Sequence, residues 1–192
     1  MLNTVYRLVA PRTFEPVVVS QDTAGKVVVR PTHLSICNAD QRYYQGTRSR
    51  AVLDRKLPMA LIHEGIGRVV SDGTGTFCPG DRVVMLPNAP VEQDEFIAEN
   101  YLRTSRFCGS GFMQEAMVLP PERVVLLPED IDPEVAAFTE LVSVATHAIS
   151  RFDEIAHGRR NRIGVWGDGN MGYIVSLLLH MRYPDAQIVV FG

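Results

Sequence analysis

One stretch narrows the fold more than any other. In RIGVWGDGNMGYIVSLLLHMRYPDAQIVVF an apolar β-type run meets a glycine-rich turn, an apolar helix and a second apolar β-type run. That order is the signature of a βαβ unit with parallel strands. The turn reads Gly167-Asp168-Gly169-Asn170-Met171-Gly172. The first glycine permits the tight turn, the second lets a pyrophosphate approach the backbone, and the third lets helix pack on strand. Free N–H groups at the helix start would then meet phosphates. The competing reading is a glycine-rich strand-to-helix turn with no ligand. An acid at the end of the second strand would hold the ribose of NAD. Here Gly192 stands in that place, so the sequence favours NADP(H), with Gly167, Gly169, Asn170, Met171, Gly172 and Gly192 as the cofactor-binding residues. A single βαβ unit is the start of a doubly wound domain, so the chain is expected to be the N-terminal piece of a longer protein, inactive alone.

Composition excludes several functions. The 192 residues are 46% hydrophobic with a net charge of -3, which supplies no electrostatic attraction for nucleic acid or an anionic membrane. The opening MLNTVYRLVAPRTF lacks an apolar core of signal-peptide length, and no run is long enough to span a bilayer. Cytoplasmic localisation is the expectation. Cys37, Cys78 and Cys108 are odd in number and widely spaced, which argues against a disulfide framework and leaves each as packing residue or metal ligand.

Up to about Pro128 the apolar runs are short, β-branched and punctuated by turns, as in VVVSQDTAGKVVVRP and EGIGRVVSDGTGTFCPGDRVVMLP. They predict a mostly antiparallel sheet or small barrel. From Asp132, an N-cap candidate before Pro133, the period becomes helical. The fold class is therefore α/β. Residues 1–145 are expected to form a β-rich domain and residues 146–192 the start of a Rossmann domain.

A second constellation lies in the β-rich part. Cys37 offers a thiolate, His63 an imidazole, and Glu64 and Glu140 carboxylates, all suited to zinc with an open coordination position. Asp40 would orient His63 through its other ring nitrogen. Taken singly each has a plainer reading: core cysteine, hydrogen-bonded histidine, solvent-facing glutamate, turn aspartate.

The motifs VYRLVAPR, ICNADQRYYQG, LPMALIHEGIG, GDRVVMLPN, AEN, GFMQE, PEDID, TELVSV and WGDGNMGYI, in that order, resemble the zinc-containing medium-chain alcohol dehydrogenases across essentially the whole chain. Within them the likeness is greatest to the ribulose-5-phosphate reductases of teichoic-acid and CDP-ribitol synthesis. The resemblance implies a GroES-like catalytic domain, Zn2+ held by Cys37, His63 and Glu140, and Glu64 as ligand or near neighbour. It implies reduction of the sugar phosphate D-ribulose 5-phosphate to D-ribitol 5-phosphate with NADPH. It further implies a homodimer when intact, and a cytidylyltransferase that takes the product. Two alternatives remain: another zinc polyol or alcohol dehydrogenase, or a non-catalytic GroES-like module.

Departures from the wider family bear on residue roles. Where many relatives carry a Ser or Thr for proton relay this chain has Ala39, leaving a water at the metal or the phenols of Tyr43 and Tyr44. Arg42, five residues after Cys37, suits a substrate phosphate or is a solvated charge. Arg48, Arg50, Arg55 and Lys56 form a basic run, read as a solvated loop or a further phosphate contact. The four-cysteine structural-zinc lobe of some relatives is missing, with only Cys108 between Asn88 and Gly111, and Cys78 is read as a turn residue.

Overall fold

The computed structural model describes residues 1–87 and 111–192. Cys108 and the stretch expected to lack a four-cysteine lobe lie outside the described residues. Two compact units emerge, Met1–Phe138 and Thr139–Gly192.

The first unit is antiparallel. Strands β1 (Leu2–Ala10) and β2 (Thr13–Ser20) form a hairpin, with Arg12 at φ 63 in its turn. The short β4 (Met59–Ala60) adds to β1, giving the order β2-β1-β4. The larger sheet runs β7-β3-β5-β6-β8, from β3 (Val27–Ser35), β5 (Glu64–Asp72), β6 (Arg82–Met85), β7 (Met117–Leu119) and β8 (Val124–Leu126). Pro31 has no N–H to give the ladder, and the β3–β5 register shifts between Pro31 and His33. Apolar side chains from both sheets, among them Leu8, Val29, Met59 and Val83, make the core together with Phe112. Each fully buried side chain of this size contributes roughly 1.5–3 kcal/mol.

Among the described residues, three short α-helices belong to this unit. Helix α1 (Asn38–Tyr44) leaves the end of β3 and α2 (Arg50–Lys56) follows it. Of the basic run read as a solvated loop or a phosphate contact, Arg50, Arg55 and Lys56 are thus helical, with Ser49 at the N-cap and an Arg50–Asp54 ion pair at 3.6 Å along the exposed face, while Arg48 precedes the helix. Asp132 caps α3 (Pro133–Ala136) by accepting the N–H groups of Glu134 and Val135, with Pro133 at the first position, as the sequence predicted. That helix does not run on. The N–H of Phe138 reaches back three residues to Val135, a tighter turn that ends it, and α4 (Thr139–Ile155) begins afresh in the second unit.

In the second unit, β9 (Arg162–Trp166), α5 (Asn170–Arg182) and β10 (Gln187–Phe191) form the expected βαβ unit. The two strands pair in parallel, with Arg162 opposite Gln187 and Trp166 opposite Phe191. Ile149, Ile163 and Leu179 tie α4, β9 and α5 into its core. The α/β class is borne out. No helix of the described residues is long and apolar enough to cross a membrane.

Candidate metal and cofactor sites

Antiparallel pairing puts Ser35 opposite Glu64. The chain leaving β3 and the chain entering β5 therefore meet, and Cys37, at the N-cap of α1, comes beside His63. Cys37 Sγ lies 3.6 Å from His63 Nε2, and Glu64 Oε1 lies 3.8 Å from the same nitrogen. His63 Nε2 thus has both the thiol and the carboxylate within 3.8 Å. Behind them is Asp40, only 4% exposed. Its Oδ2 accepts from Cys37 N–H at 3.3 Å and lies 3.2 Å from Cys37 Sγ. Its Oδ1 accepts from Ile62 N–H at 3.0 Å and stands 3.6 Å from His63 Nδ1.

These charges interact strongly. Burial pulls the His63 pKa down, but the neighbouring Asp40 and then Cys37 outweigh it and hold the imidazole well above its ordinary value, at about 10. Burial pushes the Asp40 carboxyl up, and His63 and the Ile62 N–H more than offset it, leaving its pKa lowered. A metal binding here competes with a proton for the imidazole.

Glu64 tests whether a cation fits. It is fully buried, and neither carboxylate oxygen finds a hydrogen-bond partner among the described residues. A buried carboxylate in that state costs several kcal/mol. A divalent cation shared with Cys37 Sγ and His63 Nε2 would remove the cost, and the donor set of sulfur, nitrogen and oxygen suits zinc. Cys37, Asp40 and His63 also place ligand atoms within 4.8 Å of one another. With Nδ1 turned to Asp40, Nε2 is left for the metal.

The remaining candidates fall in several places. Glu140 lies in the first turn of α4, in the second unit. Tyr43 is half-buried against the core, with the Arg48 guanidinium 5.0 Å above its ring, so Arg48 is a stacking partner. Tyr44 stacks on Phe14 at 5.9 Å between centroids. Arg42 is exposed on α1. Cys78 N–H donates to Asp81 Oδ2 at 2.8 Å in an exposed turn. Sequence reasoning missed Ile62, a β-branched residue at φ 69 immediately before His63. No sequence signal marks such a residue, because the turn arises from where its neighbours bond.

At the glycine turn, Gly167 has φ +116 and donates its N–H to the Phe191 carbonyl at 2.7 Å. Gly169 is the N-cap of α5, and open space surrounds the Cβ positions of both Gly167 and Gly169. A Cβ on Gly172 would run into the Gly167 carbonyl oxygen. The second glycine therefore leaves room for a ligand and the third permits close packing, as the sequence spacing requires. Asn170 and Met171 open the helix.

Comparison with known proteins agrees with this layout. The alcohol dehydrogenase GroES-like domain matches residues 23–129. Ribulose-5-phosphate reductase of Bacillus spizizenii is 59% identical over 198 residues, covering 100% of this chain and 58% of that protein. Ribulose-5-phosphate reductase 1 of Staphylococcus aureus is 52% identical over 196 residues, again with 100% and 58% coverage. The chain therefore spans 58% of the length of these relatives. The crystal structure of S. aureus TarJ in complex with NADPH superposes with a TM-score of 0.81 at 46% identity, covering 100% of this chain and 54% of that one.

Proposed function

This chain belongs to the alcohol dehydrogenase family with a GroES-like domain, and on that premise we propose that its protein reduces D-ribulose 5-phosphate to D-ribitol 5-phosphate with NADPH at a zinc site. The observation that carries the reading is the fully buried Glu64 carboxylate, 3.8 Å from His63 Nε2, which is itself 3.6 Å from Cys37 Sγ, and without a hydrogen-bond partner among the described residues. Relatives at 59% and 52% identity bear the name ribulose-5-phosphate reductase, and TarJ binds NADPH, which supports the choice of substrate and cofactor.

Cys37, His63 and Glu64 would hold the metal. The resemblance carries Glu140 as a further ligand, a role that zinc titration of Glu140→Gln tests. When bound, zinc supplies Lewis-acid polarisation of the C2 carbonyl and NADPH supplies the hydride. Asp40 stands 3.6 Å from His63 Nδ1 as an ion-pair partner and holds the Cys37 backbone by accepting its N–H. The open backbone at Gly167 and Gly169 admits the pyrophosphate at the start of α5. Arg42, exposed on α1, is the candidate for the substrate phosphate, and Tyr43 for proton relay in place of the hydroxyl that Ala39 lacks.

The same reading makes the protein a cytoplasmic homodimer whose product passes to a cytidylyltransferase. The deciding experiment follows NADPH oxidation with ribulose 5-phosphate, unphosphorylated ribulose and sorbitol, and identifies the product by NMR. Ribitol 5-phosphate formed only with zinc and the phosphorylated substrate supports the proposal. Equal turnover of sorbitol would move it to a general polyol dehydrogenase.

A further inference from the structure

We propose that Asp168 sets how strictly the nucleotide site discriminates between nicotinamide cofactors with and without a 2′-phosphate. The inference rests on the dinucleotide reading above. In folds of this kind the adenosine ribose is met at the end of the second strand, where a carboxylate accepts from its 2′-hydroxyl. Gly192, which follows β10, brings no side chain to that place. The place nevertheless holds a carboxylate. A Cβ on Gly192 would lie 2.8 Å from Asp168 Oδ2 and 3.2 Å from Asp168 Cγ.

The acid is therefore supplied from the turn and not from the strand. Parallel pairing of Trp166 with Phe191 brings the ends of both strands level. The Gly167 N–H bond to the Phe191 carbonyl then latches the turn to β10 just before Asp168. Asp168 is exposed, and among the described residues no ion pair neutralises it.

A carboxylate there accepts from a 2′-hydroxyl and repels a 2′-phosphate. It opposes the preference for NADPH that a glycine at position 192 would produce by itself, and it keeps NADH usable beside NADPH. At about 4 Å, with exposed charges, such repulsion amounts to roughly tenfold in affinity.

Calorimetric titration of the full protein with NADPH and with NADH tests this in wild type, Asp168→Asn, Asp168→Ser and Asp168→Glu, with thermal melts alongside. The neutral variants should raise the NADPH-over-NADH affinity ratio about tenfold, with tighter NADPH and weaker NADH binding and unchanged melting. Asp168→Glu, which keeps the charge, should hold the wild-type ratio. A ratio that stays within about twofold in the neutral variants, or falls, overturns the role of Asp168 while leaving the dinucleotide reading standing. Failure of the wild type to bind either cofactor overturns both.

Discussion

Asp40 Oδ1 accepts the Ile62 N–H at 3.0 Å, and Ile62 stands in the left-handed region at φ 69, one residue before His63. A β-branched residue rarely adopts that conformation. The surroundings over-determine it, since the Ile62 carbonyl also accepts from Phe112 N–H at 2.7 Å and the side chain is buried in the core. One carboxylate thus fixes the backbone that aims His63 and stands 3.6 Å from Nδ1 of its ring.

Asp40→Ala should weaken zinc binding about 10- to 100-fold, the range seen when partners behind a ligand are removed. Asp40→Asn should lose less, because its carbonyl still accepts from Ile62 N–H. Titration against a competing chelator measures both. Equal affinity in wild type and Asp40→Ala would make the contacts structural only.

Ile62→Gly sets two effects against each other. Relief of the left-handed conformation recovers roughly 1–2 kcal/mol. Loss of a buried side chain costs about 2–5 kcal/mol, with the greater backbone entropy of glycine added. Burial wins, so the variant should be less stable by about 2 kcal/mol in urea denaturation. A more stable variant would mean that the turn is strained beyond this range.

Glu64→Gln should move two readouts in opposite directions. Without metal, Glu64 has His63 Nε2 at 3.8 Å but no hydrogen-bond partner among the described residues, so removing its buried charge should raise the melting temperature. Zinc affinity should fall, because the amide is a poor ligand. If both fell together, Glu64 would be a structural carboxylate and not a metal ligand.

The second and third glycines of the turn should behave differently. Gly169→Ala meets open space and should leave stability within about 0.5 kcal/mol, yet weaken NADPH binding at least tenfold. Gly172→Ala collides with the Gly167 carbonyl and should destabilise the second unit itself. Parallel melts and cofactor titrations separate the two outcomes.

Asp72 carries a pH dependence. Burial pushes its carboxyl up, but the Phe77 N–H, the Thr74 hydroxyl and the Thr74 and Thr76 N–H groups outweigh it and hold the pKa at about 2. A carboxylate depressed on folding stabilises the fold above its unfolded pKa of about 3.9. That contribution is lost as pH falls from near 4 through about 2. Acid unfolding of wild type and Asp72→Asn should therefore converge across this window. A stability difference that persists unchanged below it would rule the charge out.

The sequence by itself determined the βαβ unit, its glycine turn and the antiparallel character of the first part. Those are local: Gly172 must be small because Gly167 is five residues back on the same turn, and strand periodicity is written in successive residues. The short helices α1 and α2 were not legible, because helices of seven residues are held by tertiary packing more than by propensity. Candidate ligands could be named by chemistry, but not assembled. Only the Ser35–Glu64 register brings Cys37 to His63 and puts both oxygens of Asp40 to use. Only the Trp166–Phe191 register lays the Asp168 carboxylate against Gly192, where the sequence shows no acid. Register is the free-energy minimum of many distant contacts made together, so it is decided by the folded whole and not by any one stretch of chain.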